Sequence, residues 1–193
     1  MKEIAQIRKL SLWIFFVPLI TVHLCLIVSI NYHLFENTIF VVDQIGRSGF
    51  SIPYIDGSLS ISRASRTYPQ FLIFKPGMLL TAVLLFFYWK KNNLLVNEFK
   101  KTHDKKNSFM IFGVLSALFL IIHSMLLGIE TDIKFFKFLR RVVLLSFIIF
   151  EIIAQSLLVV NFLKLKIIIG ELTNRFVLKS KIILVSVLIF VAL

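Results

Sequence analysis

Residues 142–162 read VVLLSFIIFEIIAQSLLVVNF, a continuously apolar run in which Glu151 is the single charged side chain. The hydrocarbon core of a bilayer is about 30 Å thick, and a helix needs about 20 residues to cross it. A lipid-facing strand would have to close into a barrel and would alternate apolar with polar residues, which this run does not. The run therefore predicts a transmembrane helix.

Three other runs have the length and composition of membrane spans, and a shorter apolar run ends the sequence. The short run ends without a polar residue, so we expect the natural chain to continue past Leu193. The predicted fold class is all-α: a polytopic integral membrane helical bundle with four complete transmembrane helices plus a partial fifth. It is predicted as a single membrane domain over residues 1–193, with helices at about 10–30, 71–89, 108–127, 142–162 and 182–193 and an outer loop at 31–70.

The composition agrees with a membrane environment and limits the classes of molecule that we expect the protein to bind. Hydrophobic residues make up 58% of the chain, and its formal net charge is +12. The basic residues flank apolar runs, where they meet lipid headgroups, so we expect membrane lipids and no nucleic acid as partners. The single cysteine, Cys25, excludes an intrachain disulfide and a metal site built on several thiolates. We expect neither a metal nor a cofactor, and the oligomeric state stays open.

The distribution of Lys and Arg predicts the orientation. Three basic residues precede the first span, six lie in 90–107 and five in 164–181, whereas the forty residues 31–70 carry three. The positive-inside rule then places the N-terminus in the cytoplasm and the long first loop on the luminal, extracellular or periplasmic side. The link 128–141 carries four basic residues, more than the rule expects of an outer loop. We expect a Golgi, ER or endolysosomal membrane in a eukaryote, or the inner membrane in a bacterium.

Aromatic and small residues suggest further features of the spans. Trp13, Tyr88 and Trp89 lie near span ends, where interfacial aromatic belts are expected. Gly113 and Ala117 are four residues apart in the third span and allow a close helix crossing.

The polar groups inside the apolar runs are the candidate catalytic residues. Glu151 lies near the middle of its span, where a carboxylate is costly, and Gln155 follows one turn later. His23 and His123 lie at similar depth in the half of the membrane next to the outer loop. If they converge with Glu151, they suit a proton relay or acid and base chemistry on a lipid headgroup. Alternatively, Glu151 bonds to Gln155 and a neighbouring helix in a structural role.

The outer loop is too long for a simple connection, and loops of that length are often functional. Its second half combines aromatic, hydroxyl and guanidinium groups, and guanidinium binds phosphate in a bidentate geometry. Arg63, Arg66 and Tyr68 are the candidates for contact with lipid headgroups.

The end of this loop and the second span also resemble a known family. The segments Ser60–Ala64 (SISRA), Pro69–Gln70, Ile73–Lys75 (IFK) and Phe87–Trp89 (FYW) are similar to the first luminal loop and second helix of the GPI-anchor lipid-remodelling factors. These share a superfamily of six-helix membrane proteins with the DRAM autophagy modulators and the amino-terminal domain of the yeast cell-wall and ceramide-remodelling protein. The matching loop positions are Ser62, Arg63, Pro69 and Gln70.

The resemblance implies a role in lipid remodelling or lipid handling at the non-cytoplasmic face, with lipid-anchored proteins as further partners. In this interpretation the chain is not itself an enzyme. Two alternatives stay open: a membrane-embedded lipid-modifying enzyme that uses Glu151 with His123 or His23, and a small proton-coupled transporter.

Overall fold

A computed structural model describes residues 2–35, 38, 64–101, 106–129, 133–165 and 175–192. Within these ranges the chain is helical and contains no strand, which confirms the predicted all-α class. The elements are α1 (Lys2–Ile30), a 3-10 turn (Tyr32–Phe35), α2 (Phe71–Lys100), α3 (Ser108–Leu126), α4 (Lys134–Lys164) and α5 (Arg175–Ala192).

Four of these helices are long and apolar enough to cross a membrane: Glu3–Ile30, Gln70–Lys100, Ser108–Leu126 and Lys134–Lys164. Between 22% and 39% of each apolar window is buried inside the protein, so most of its surface faces outward. Exposed side chains such as Phe15, Ile20 and Ile149 form an apolar surface that a water-soluble protein would not tolerate. The chain is a multi-pass integral membrane protein.

The helices extend beyond the apolar runs that predicted them. α1 begins at Lys2 instead of residue 10, α2 continues to Lys100, and α4 begins at Lys134 instead of residue 142. Bilayer thickness sets the length of the apolar segment and not that of the helix, and Lys, Arg and Glu are good helix formers in water. The predicted link 128–141 is therefore largely the start of α4.

The chain divides into two compact units. Unit 1 comprises residues 1–11, 83–119 and 144–193, and unit 2 comprises residues 12–82 and 120–143. In unit 1 the fully buried side chains Trp89, Phe109 and Leu158 form the core. At the start of α1, Glu3 forms an ion pair with Lys91 of α2, with 2.9 Å between Lys91 Nζ and Glu3 Oε2.

Trp89 and Tyr88 do not form an interfacial belt, and that prediction was wrong. Trp89 is fully buried and Tyr88 nearly so. The physical reason is Gly113 of α3, which has no side chain. The Trp89 indole packs directly against it and occupies the space that a β-carbon at this position would need. This contact is the close helix crossing that Gly113 predicted.

An asparagine cluster ties three helices of unit 1 together near the start of α3. Asn107 donates from Nδ2 to Asn93 Oδ1 and to Asn97 Oδ1, both at 2.8 Å. Its backbone N–H also donates to Asn93 Oδ1 at 3.1 Å. Lys100 donates to Oδ1 of Asn107 at 3.3 Å and to Oδ1 of Asn161, on α4, at 2.6 Å.

Replacing Asn107 by alanine is expected to destabilise unit 1 by about 1–3 kcal/mol, because buried amides of Asn93 and Asn97 lose a hydrogen-bond partner. The matched control is Asn31→Ala, since within the described part of the chain the Asn31 side-chain amide bonds to the Ile27 carbonyl one turn earlier and to no other group. Thermal unfolding of the purified protein in detergent measures both. Equal stability of the two variants would show that the cluster contributes nothing to the fold.

In unit 2 the end of the long loop packs against α1 and leads into α2. Ala64 is fully buried against Leu26. The carbonyl of Gln70 accepts a weak hydrogen bond from Cys25 Sγ at 3.5 Å and bonds to the amides of Ile73 and Phe74 in the first turn of α2. Further along α2, Gly77 lies directly against Thr21 of α1.

Candidate functional site

Glu151 lies in a closed hydrogen-bond network inside unit 1. Ser116 of α3 donates to Oε2 at 2.6 Å, and the indole N–H of Trp89 on α2 donates to the same oxygen at 3.3 Å. Gln155, one turn along α4, donates from Nε2 to Oε1 at 2.9 Å. A single carboxylate thus joins α2, α3 and α4.

The network is compatible with either protonation state of Glu151, because the Ser116 hydroxyl has two possible hydrogen-bond acceptors. Its oxygen lies 2.8 Å from the Gly113 carbonyl as well as 2.6 Å from Oε2. When Glu151 is ionised, the hydroxyl donates to the carboxylate. When Oε2 carries a proton, Glu151 donates to Ser116, whose hydroxyl then donates to the carbonyl. Each donor of the network keeps a partner in either state.

A cation from α5 also lies in this part of unit 1. The positive charge of Lys181 acts on Glu151. The Lys181 ammonium is 3.4 Å from the hydroxyl of Tyr88 and lies over the ring of Phe162, 5.9 Å from its centroid. The surroundings of Glu151 are therefore an amide, a hydroxyl, an indole and a nearby ammonium, a set suited to holding a carboxylate in place.

His23 and His123 belong to unit 2, so their predicted convergence with Glu151 stays a prediction. The ring of His23 bonds through Nδ1 to the Leu19 carbonyl of its own helix at 2.7 Å. It lines a shallow apolar groove of about 260 Å³ on α1, with Leu19, Ile20, Leu24 and Ile27 as the other lining residues.

His123 lies beside two arginines. Its side chain is 9% exposed, and Nδ1 has no hydrogen-bond partner among the residues that the structure describes. The ring lies next to the Arg140 backbone, and the positive charges of Arg66 and Arg140 both act on it. Arg66 at the loop end and Arg140 on α4 are thus near enough to His123 for their charges to act on its ring.

The residues of the family motif divide into two groups. Ser62 and Arg63 lie outside the described residues, so nothing follows for them. Pro69 and Gln70 are buried at the start of α2. With its amide oriented to satisfy its neighbours, Gln70 donates from nitrogen to Thr67 Oγ1 at 2.9 Å and to the Tyr68 carbonyl at 3.1 Å. These two positions shape the turn that ends the loop.

Arg66 and Tyr68, the other two candidates in the loop, lie close to the start of α2 and the end of α3. The Tyr68 ring packs against Phe71, with centroids 5.6 Å apart. The carbonyl of Arg66 lies near Gly128, which has a positive φ of 82° at the end of α3. The turn after α3 therefore holds the loop end in place.

Sequence reasoning identified Glu151 and Gln155 but missed Trp89, Ser116 and Arg140. The spacing of Ser116 three residues after Gly113 was the available signal, since small and hydroxyl residues on one helix face mark a close contact in membranes. Within the described ranges, no group of three or more His, Cys, Asp or Glu side chains is placed to hold a metal ion.

Comparisons of the chain with models of protein families, with curated proteins and with solved structures find no match.

Proposed function

We propose that this chain handles or remodels membrane lipids at its non-cytoplasmic face, in the manner of the GPI-anchor lipid-remodelling and DRAM-like superfamily that its loop resembles. The N-terminus is cytoplasmic in this proposal, and the loop 31–70 lies on the other side of the membrane. The protein acts as an accessory factor on lipids or lipid-anchored proteins and is not itself an enzyme.

The observation that carries this proposal is the place of Arg66 in unit 2, where its carbonyl lies near Gly128 at the end of α3 and its charge, like that of Arg140, acts on the His123 ring. Arg66 ends the loop, and Arg140 lies two turns into α4, just before the apolar run that begins at Val142. Guanidinium groups at the level of the headgroups are suited to phosphate, which they bind more strongly than ammonium groups do in a bidentate geometry.

The Glu151 network supports an accessory role over an enzymatic one. A general acid or base needs an open path to substrate, whereas three donors from the protein bind the Glu151 carboxylate. The donors come from Trp89, Ser116 and Gln155, none of which titrates near neutral pH. This arrangement favours a structural role for Glu151.

The orientation is tested by fusing a short fluorescent-protein fragment to the N-terminus and expressing its complement in the cytoplasm. Fluorescence supports the proposed orientation. Fluorescence that arises only when the complement is exported to the opposite compartment contradicts it.

Replacing Arg66 by glutamine is expected to abolish most of the effect of the protein on lipid composition. Mass spectrometry would compare lipid acyl chains and headgroups in cells that carry the wild-type gene, no gene, or R66Q. Loss of the charge removes one of the two guanidinium groups beside His123, so at least half of the wild-type effect should disappear. R66K, which keeps the charge, should retain more of it.

The control for R66Q is Lys179→Gln, which removes an exposed cation from α5 in unit 1. We expect K179Q to behave as wild type. Identical lipid profiles with and without the wild-type gene, or a full effect of R66Q, would contradict the proposal.

A further inference from the structure

Most of the positive charge of the chain is concentrated in three segments. Residues 2–9, 90–107 and 164–181 contain fourteen basic and four acidic residues, so their net charge is +10, whereas the whole chain carries +12. This count includes Asp104 and Glu171, which lie outside the described residues. The acidic residues of these segments therefore cannot neutralise the basic ones, and the excess charge attracts anions from the surroundings.

Contacts within unit 1 bring these segments to one end of the unit. Glu3 at the start of α1 pairs with Lys91 of α2. Lys100 at the end of α2 donates to Oδ1 of Asn161 near the end of α4. The N-terminal end of α1 and the C-terminal ends of α2 and α4 therefore lie at the same end of unit 1.

The start of α5 joins this end of unit 1. The Lys181 ammonium lies 3.4 Å from the hydroxyl of Tyr88, which is one turn before Lys91 on α2. Lys179 lies two residues nearer to the start of α5, and its side chain is exposed. The cations of α5 therefore add to those of the other helices.

Four exposed cations on three helices of this end have no hydrogen bond, ion pair or ring contact with any described residue. Of the acidic residues described at this end, Glu3 is already paired with Lys91, and Glu98 is exposed on α2. The four cations thus keep their charges available for an external anion. We call them the basic end: Arg8 and Lys9 of α1, Lys164 of α4 and Lys179 of α5.

Exposed apolar side chains lie beside the basic end on each of its three helices. Leu163 directly precedes the cation of α4, Phe176 lies one turn before that of α5, and Trp13 lies one turn after those of α1. These side chains are 43%, 76% and 51% exposed. Such apolar surface faces the hydrocarbon, and long cationic side chains next to it place their charges among the headgroups. An anionic lipid matches both features, whereas an acidic protein from the water phase would match the charges alone.

We propose that the basic end of unit 1 binds the phosphate of anionic glycerophospholipids and holds these lipids beside the protein in preference to zwitterionic ones. The ammonium and guanidinium groups bind the phosphate oxygens, and the neighbouring apolar side chains contact the acyl chains. In phosphatidylcholine the choline group neutralises the phosphate, so the attraction is weaker. The inference goes beyond the proposed function, because it concerns the end of α1 away from the loop and holds whether or not the protein alters lipid composition.

The exposed Trp13 provides a local reporter for this binding. The purified chain is reconstituted into phosphatidylcholine vesicles that contain brominated phosphatidylglycerol or brominated phosphatidylcholine at the same mole fraction, since bromine quenches tryptophan fluorescence over short distances. The same measurement on Trp13→Phe gives the contribution of Trp89, which is fully buried. After that contribution is subtracted, phosphatidylglycerol should associate with the region of Trp13 about threefold or more tightly than phosphatidylcholine.

The double variant Arg8→Gln with Lys9→Gln should bring the ratio of the two affinities close to one. The matched control is Lys134→Gln with Arg141→Gln, which removes the same charge from exposed residues before the apolar run of α4. The control should keep the preference of the wild type. An equal loss in both double variants would show a non-specific effect of net charge and overturn the proposal. Equal quenching of the wild type by the two lipids would also overturn it.

A second reporter shows whether the helix ends bind lipid as one surface. Leu163→Trp in the Trp13→Phe background places the reporter beside Lys164 on α4, where it should detect the same preference. Lys164→Gln with Lys179→Gln should remove this preference, and the control double variant should not. A preference at residue 13 without one at residue 163 would confine binding to α1 and overturn the surface proposed here.

Free phosphate and an acidic protein are the alternative anions for this surface. Millimolar inorganic phosphate, added at constant ionic strength, should leave the lipid preference unchanged. If phosphate abolishes the preference and chloride does not, the ligand is phosphate itself and the assignment to a lipid is overturned. Equal association of the two lipids at both reporters would instead leave an acidic protein as the candidate partner and contradict the proposal.

Discussion

Replacing Glu151 by leucine is expected to destabilise the protein by about 1–3 kcal/mol. This exceeds the roughly 0.6 kcal/mol average for one interhelical hydrogen bond in a membrane. The reason is that the donors of Trp89, Ser116 and Gln155 lose their common acceptor at once. Thermal unfolding in detergent, followed by tryptophan fluorescence, measures the change.

Replacing Glu151 by glutamine, in contrast, should leave stability close to wild type. The amide oxygen can accept from Ser116 and Trp89, and the amide nitrogen can donate to Gln155 once that side chain turns its own amide. A glutamine thus keeps a hydrogen bond to all three partners without a charge. If E151L were as stable as wild type, the network would not hold the helices together.

Two serines of α3 provide a matched control for this network. Ser116 and Ser124 are both fully buried, and each donates to a carbonyl three residues earlier. Only Ser116 also bonds to Glu151. We therefore expect Ser116→Ala to cost more stability than Ser124→Ala, and the reverse order would contradict the network.

Replacing Gly113 by alanine is expected to destabilise unit 1 by about 1–3 kcal/mol, the usual cost of overpacking a close contact. An added methyl group would overlap the Trp89 indole, which is itself fully buried and bonded to Glu151. The indole cannot move without losing that hydrogen bond. Equilibrium unfolding in detergent measures the loss.

The control on the same helix is Leu118→Ala, since the Leu118 side chain is about half exposed. The double variant with Gly113→Ala and Trp89→Phe provides a further check, because the smaller ring makes room for the methyl group. The two changes should therefore be less than additive. Full additivity, or a neutral effect of G113A alone, would show that the contact is loose.

The apolar runs predicted the number and position of the spanning helices, because lipid allows few alternatives to a helix. They did not predict where the helices end. Lys100 and Lys134 show why: the charged residues outside the bilayer continue the helix in water, and the apolar pattern carries no information about them.

The sequence predicted only part of the candidate site, because it does not show which faces of neighbouring helices meet. A carboxylate in the middle of a span identified Glu151, and Gln155 follows from spacing within one helix. Ser116 and Trp89 lie on other helices, and their approach depends on which faces meet. The burial of Trp89 was not predicted, because a tryptophan near basic residues is typical of the membrane–water interface. The space left by Gly113 on the neighbouring helix decides this burial instead.

We propose lipid contact for Arg66 and a structural role for Glu151. Lipid composition measured in cells that express E151Q or R66Q tests this division most directly. We expect E151Q to alter cellular lipids as wild type does and R66Q, present at equal level, to show at most half of the wild-type effect. An inactive but stably folded E151Q beside a fully active R66Q would contradict the division.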